Sequence, residues 1–184
     1  MFFIPARMLC VAALTGIAFN TTQQAMAQVQ SAPIGTIEAS IGGKAYAGET
    51  RKVASEGTST AGFRTFGPVV NLVLQAHDPQ SERMMHNVLA LDISVMGSDA
   101  SASVTAGSVS YWPEGVGKPF YTSDEGGGET QVTFDTLSLD DGNANVSGRF
   151  TTTICAKESY FEEINMADCL PVEGTFETAL LKEE

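Results

Sequence analysis

A nine-residue pattern occurs twice near the end of the chain, as V-S-G-R-F-T-T-T-I at Val146–Ile154 and as V-E-G-T-F-E-T-A-L at Val172–Leu180. Valine, glycine, phenylalanine and threonine recur at matching places in the two copies. Cys155 directly follows the first copy, and Cys169 lies just before the second. Alternation of this kind is typical of strands with one buried face. The two copies are therefore predicted to form a hairpin whose base the two cysteines close.

An antiparallel pairing that sets the two cysteines opposite each other determines the register of this hairpin. Phe150 then faces Gly174, and Gly148 faces Phe176. Each ring would cover backbone that a glycine on the neighbouring strand leaves bare, which is a known way of pinning strand register. The aromatic–glycine pairs and the cysteine pair are independent requirements, and a single register meets both.

A disulfide between Cys155 and Cys169 is predicted on the face opposite the rings. A structural bridge is favoured over a redox-active pair, because catalytic dithiols usually lie as C-x-x-C near the start of a helix. An oxidising compartment is where such a bridge forms and persists.

The rest of the chain after residue 33 consists of short alternating runs separated by clusters of Gly, Asn, Asp and Ser. Clear examples are the two runs around Gly42-Gly43, the dense apolar run Val69–His77, and His86–Met96. Adjacent glycines suit the positive φ angles of a type I′ hairpin turn. Roughly nine to eleven strands at this spacing predict an all-β fold, either an antiparallel two-sheet sandwich or, alternatively, a barrel.

Three segments fit this pattern less well. Glu49–Ala61 is polar and small, and is predicted to be a loop or a weak edge strand. Ala100–Trp112 is predicted to be a strand that bends or bulges at Gly107. Lys157–Asp168 is predicted to be one short helix, which would cap the sandwich or, alternatively, offer a surface to a partner.

The beginning of the chain predicts export. Arg7, the apolar run Met8–Phe19 and the triplet Ala25-Met26-Ala27 follow the order of a cleaved signal peptide. The run is about 12 residues long, whereas a membrane-spanning helix needs about 20. The expected division is residues 1–27 as the signal peptide, which takes Cys10 with it, 28–33 as a flexible leader, and 34–184 as a single β domain. The mature protein is then periplasmic or secreted, with no membrane span.

The paired G-x-F strands, the early hairpin I-G-G-K-A-Y and the signal peptide together resemble small secreted bacterial β-sandwich proteins of uncharacterised families. The resemblance extends as a pattern over most of residues 34–181. It implies a β-sandwich in the cell envelope, and it implies no catalytic residues that could be carried over.

Charge excludes one class of partner. The chain has 10 Lys and Arg against 22 Asp and Glu, a formal net charge of −12. Phosphate backbones repel such a chain, so no nucleic-acid partner is expected.

No catalytic residue, metal site or cofactor is predicted. His77, Asp78 and His86 are the only group that a hydrolase could use, and they lack both a G-x-S-x-G nucleophile and a third zinc ligand. The acidic turns Asp140–Asn145 and Ser123–Gly128 are interpreted as turns rather than calcium loops, because the alternating ligands and closing Glu of an EF-hand are missing.

Four aromatic residues mark a possible binding surface. Tyr111, Trp112, Phe120 and Tyr121 bracket the loop Pro113–Lys118 and are either a platform for a partner or part of the core. The expected function is a non-enzymatic exported domain with a binding or structural role, whose partner is an unknown protein, glycan or small ligand. The alternatives are a hydrolase of an envelope polymer and a protein inhibitor of an enzyme.

Overall fold

The structure, a computed structural model, describes residues 31–183 with the exception of 82, 84, 127 and 141. The described residues form twelve strands and no helix. These strands are β1 (Ser31–Ile41), β2 (Lys44–Val53), β3 (Thr58–Ser59), β4 (Ala61–Phe66), β5 (Val69–His77), β6 (Val88–Met96), β7 (Ser103–Trp112), β8 (Phe120–Thr122), β9 (Gln131–Ser138), β10 (Asn145–Lys157), β11 (Asn165–Ala179) and β12 (Leu181–Lys182). The predicted signal peptide and the first half of the predicted leader lie outside the described residues.

The strands form an all-β sandwich, which confirms the predicted fold class. Neighbouring strands follow the order β4-β5-β6-β7-β8-β10-β11-β1-β2, and β9 also pairs with β10. One further bridge, between Glu49 of β2 and His77 of β5, joins the two ends of this row into a ring. Among the described strands only β12 and β4 pair in parallel. Apolar side chains from β1, β10 and β11 meet those of β5 and β6 in one buried cluster.

The C-terminal hairpin has the predicted register. In the β10–β11 pair Phe150 lies opposite Gly174, Gly148 opposite Phe176, and the two cysteines opposite each other. Both rings are buried, and a Cβ on Gly174 would lie 2.8 Å from Cε1 of Phe150. The phenylalanine rings therefore cover the glycines, as the repeat predicts.

The predicted disulfide is present as well. Cys155 and Cys169 are bonded to each other, with their Cα atoms 4.0 Å apart. Cys155 is buried and Cys169 is half-buried. The bond closes the base of the segment of residues 156–168, which is called the closed segment below.

The N-terminal hairpin and strands β5 and β6 also have the structure that the sequence predicts. Gly42 and Gly43 have φ angles of 57° and 79°, as the predicted turn requires. On β6 the side chains predicted to face the core are fully buried: Leu89, Leu91, Ile93 and Val95. β5 lies between β4 and β6, which explains its dense apolar sequence.

The predicted helix over Lys157–Asp168 is wrong. β10 continues to Lys157 and β11 begins at Asn165, with Ala156 paired to Asn165. This pairing leaves only residues 157–164 for the chain reversal, so strand pairing overrides the helix-like spacing of the apolar residues. In the part of the chain that the structure describes, there is no helix that is long and apolar enough to cross a membrane.

The strand pairing decides three other local predictions and corrects two of them. Of the two alternatives predicted for Glu49–Ala61, the edge strand rather than the loop holds for residues 49–53, which are the second half of β2 and pair with the start of β1, and for Thr58–Ser59, which are β3 at the end of the row. Residues 31–33 of the predicted leader are their partners and therefore belong to a strand.

The irregularity in β7 lies at Thr105 rather than Gly107, because the register shifts opposite Ser94 and Val95. The Thr105 hydroxyl donates to the Ser94 carbonyl at 3.1 Å, which holds the extra residue in place.

Candidate functional site

The four aromatic residues of the predicted binding surface divide into two pairs. Tyr111 lies opposite Tyr121 in the β7–β8 pair, and both rings pack against the main core. Trp112 and Phe120 are one residue further along and point to the other face of the layer, because side chains alternate along a strand. The structure therefore brings the four together as an inner pair and an outer pair, on opposite sides of one sheet.

Tyr111 of the inner pair belongs to a polar network at one end of the core. The Tyr111 hydroxyl donates to Oδ1 of Asn87 at 2.7 Å, and Nδ2 of Asn87 donates to Oδ2 of Asp78 at 2.7 Å. The Tyr111 ring meets the Tyr46 ring edge to face, with centroids 6.1 Å apart. Burial raises the pKa of Tyr111, and the charge of Asp78 raises it further.

Tyr46 lies on β2, and its hydroxyl connects this strand to β5 and β6 on the other side of the core. That hydroxyl donates to the Ala76 carbonyl at 2.9 Å and accepts from the Leu89 amide at 3.2 Å. The side chain is almost wholly buried, and this desolvation raises the pKa of Tyr46 well above its usual range. The Tyr46 hydroxyl is thus protonated and hydrogen-bonded inside the core.

The pKa of Tyr46 predicts a loss of stability in alkaline solution. In the unfolded chain a tyrosine ionises near pH 10, whereas folded Tyr46 stays protonated, so the free energy of unfolding falls as the pH rises above about 10. The raised pKa values of Tyr111 and Tyr121 act in the same direction. Urea unfolding between about pH 8 and pH 11 measures this slope. Tyr46→Phe is expected to flatten the slope, and an equal slope in the variant would contradict the assignment.

The outer pair continues outward into an aromatic stack. Trp112 and Phe120 are stacked with centroids 5.9 Å apart, and Phe120 and Tyr160 are 4.8 Å apart. Phe120 is buried, Tyr160 is 57% exposed, and the next residue, Phe161, is 99% exposed. Trp112, Phe120 and Tyr160, here called the outer stack, run from the sheet surface to the tip of the closed segment.

The outer stack is separate from the main core. Val88 and Phe120 are buried, but neither belongs to the main cluster. In the part of the chain that the structure describes, the buried indole Nε1 of Trp112 has no hydrogen-bond partner. A buried donor without an acceptor is costly and rare in a well-packed core. The outer stack therefore contains a buried donor without a hydrogen-bond partner among the described residues, whereas the buried hydroxyl of Tyr46 has two partners.

The disulfide and two polar contacts help to hold the closed segment in place. The disulfide joins its ends, and Nζ of buried Lys157 contacts Oε2 of exposed Glu125 at 2.6 Å. The Tyr121 hydroxyl contacts Oδ2 of Asp168 at 3.4 Å. Both contacts tie the segment to the strand and turn of residues 120–130. The sequence places Tyr160 and Phe161 together in the predicted helix over Lys157–Asp168, which was expected to cap the sandwich or to offer a surface to a partner. It gives no sign of which of the two rings is left in solvent.

The possible catalytic group is mostly occupied with structural contacts. The Asp78 carboxylate accepts from the Gln80 amide at 2.8 Å and from Asn87. His77 is buried at the end of β5, where it pairs with Val88. His86 lines a depression of about 690 Å³ together with Arg83, Met85 and residues of the loop 114–118, and Asp78 is not among the residues that line it. Among the described residues no group of three or more His, Cys, Asp or Glu could hold a metal ion.

Both acidic turns have structural partners. The Asn143 amide donates to the Asp140 carbonyl at 3.0 Å, and Gly142 has a φ of 85°, as in a hairpin turn. In the other turn, the hydroxyls of Ser123, Thr130 and Thr152 form a buried chain.

Comparison of the chain with protein-family models, curated proteins and solved structures gives no match. The geometry of this chain is therefore the basis on which its function is inferred.

Proposed function

We propose that the protein is an exported, non-enzymatic binding module of the periplasm or the medium, which contacts its partner through the tip of the closed segment. The observation that carries this proposal is the nearly complete exposure of Phe161, next to the half-exposed ring of Tyr160. The resemblance to small secreted β-sandwich proteins of uncharacterised families agrees with a place in the cell envelope.

Export is supported from two sides. The order of charged, apolar and small residues at the beginning of the chain is that of a signal peptide. The bond between Cys155 and Cys169 is of the kind that persists in oxidising compartments and is rare in the cytosol.

Exposed aromatic rings at the end of an anchored loop are typical of binding surfaces. Tyr160, Phe161 and Met166, three of the exposed large apolar side chains in the described part of the chain, all come from the closed segment. Aromatic side chains supply much of the binding energy at interfaces. The disulfide restrains the segment before binding, which lowers the entropy that association would cost.

Site-specific crosslinking tests this proposal. The photo-reactive residue p-benzoylphenylalanine is placed in the full-length protein at Phe161 or, as a matched control, at Phe66. Phe66 is the last residue of β4 and is 61% exposed. In cells that produce the protein, position 161 is expected to yield a discrete crosslinked species that position 66 does not yield. Identical patterns at the two positions, or no product at position 161, would overturn the proposed function.

The shape of the closed segment also favours one narrower function, the inhibition of an enzyme. A disulfide-closed segment with an exposed aromatic tip can enter an active-site cleft, as rigid loops on stable scaffolds do. The crosslinked species decides this point. If it contains an enzyme, that enzyme should lose activity with the wild-type protein and keep it with Phe161→Ser.

A further inference from the structure

We propose that the partner is a protein with a cleft lined by Lys and Arg around an apolar pocket, and that the closed segment inserts Phe161 into this pocket. This inference rests on the proposed function and specifies the chemistry of the partner.

The closed segment and the neighbouring turn form a strongly acidic surface. The closed segment contains four carboxylates and one lysine, and the acidic turn of residues 123–130 adds three carboxylates and no base. The seven acidic residues are Asp124, Glu125, Glu129, Glu158, Glu162, Glu163 and Asp168. Their net charge with the lysine is −6, which is half of the −12 of the whole chain.

The lysine does not neutralise this surface towards solvent. Lys157 is only 7% exposed, and its Nζ is directed at Glu125. The two segments also lie against each other, since a Cβ on Gly126 would be 3.5 Å from Sδ of Met166. The acidic residues therefore lie on two adjacent segments, called the negative patch below, and a cluster of one sign attracts a surface of the opposite sign.

The exposed aromatic tip lies inside this patch. Glu158 precedes Tyr160 by two residues, and Glu162 and Glu163 follow Phe161 directly; all three carboxylates are exposed. An apolar anchor with a charged rim is the usual arrangement of an interface, with the rim setting orientation and rate and the buried anchor setting affinity. The complementary surface is an apolar pocket with a cationic rim.

Other occupants fit this surface less well. Phosphate backbones and anionic lipid headgroups would be repelled by the carboxylates. A neutral apolar pocket would bind Phe161 but would gain nothing from the acidic rim. A cationic protein cleft satisfies both the ring and the charges.

Peptide selection tests the inference with a defined probe. A random peptide library displayed on phage is selected on the immobilised full-length protein, and the selected peptides are synthesised. Their dissociation constants are measured for the wild type, for Phe161→Ser, for the triple variant Glu158→Gln/Glu162→Gln/Glu163→Gln, and for a control triple variant. The control is Glu38→Gln/Glu173→Gln/Glu177→Gln, which removes three exposed carboxylates from β1 and β11.

The selected peptides are expected to carry Lys or Arg beside an aromatic or aliphatic residue. Binding should weaken about tenfold or more with Phe161→Ser and with the closed-segment triple variant, and should weaken as salt is raised from about 0.05 to 0.5 M. The control triple variant should bind as the wild type does. Peptides that need Phe161 but are neutral or acidic would overturn this inference and leave the proposed function standing. A selection that yields no peptide dependent on Phe161 would contradict both.

Discussion

Phe150→Ala is expected to lower the free energy of unfolding by about 3–5 kcal/mol, as large-to-small substitutions of buried aromatic residues do. Phe150 is 1% exposed and belongs to the cluster that joins the two layers. Its ring covers Gly174, and its centroid is 6.4 Å from the centroid of the Phe176 ring. Removal of the ring leaves a cavity and also uncovers the backbone at a glycine. Urea unfolding followed by tyrosine and tryptophan fluorescence measures the change.

Phe66→Ala is the matched control for this prediction. Phe66 is 61% exposed at the end of β4, so the same chemical change should alter stability by no more than about 0.5 kcal/mol. If the two variants were destabilised equally, Phe150 would not have the buried position described here. A loss much smaller than 3 kcal/mol in Phe150→Ala would mean that the hairpin can repack without the ring over the glycine.

The double variant Cys155→Ser/Cys169→Ser is expected to lose about 3 kcal/mol of stability. The disulfide closes a loop of about 15 residues, and in the chain-entropy model the unfolded state gains that much freedom when the link is removed. The folded hairpin should persist, because the β10–β11 pairing extends from Asn145 to Ala179. Urea unfolding of the variant measures the loss.

A reductant supplies the control for the double variant. Dithiothreitol should lower the unfolding midpoint of the wild-type protein to that of the variant and should leave the variant unchanged. Hydrogen exchange should rise in the closed segment and remain low in β10 around Phe150, since only the base of the segment is released. Equal midpoints for the oxidised wild type and the double variant would show that the bond contributes nothing to stability.

The acidic aromatic tip shows where sequence reasoning was incomplete. The apolar residues of the closed segment have a spacing that also suits a short helix, and sequence periodicity does not report how many residues a chain reversal leaves free. The pairing of Ala156 with Asn165 excluded the helix and pushed Tyr160 and Phe161 outward. The role of this tip in binding stays a prediction.

The predicted aromatic surface shows a second kind of limit. The sequence places Tyr111 beside Trp112 and Phe120 beside Tyr121, and the alternation rule states that neighbours point to opposite faces. Which face meets the core depends on the layer packed against it. The core covers the tyrosine pair and leaves the other two to the outer stack.

The sequence by itself determined the all-β class, the turn at Gly42-Gly43, and the register and disulfide of the C-terminal hairpin. These features depend on local alternation, on the φ angles that glycine allows, and on matched residues in two strands close together in the chain. Only the tertiary structure decided that Tyr46 spans the layers, that Lys157 is buried against Glu125, and that Phe161 is left in solvent. Those outcomes depend on contacts between segments distant in the chain, where burial is shared among surfaces that no local pattern records.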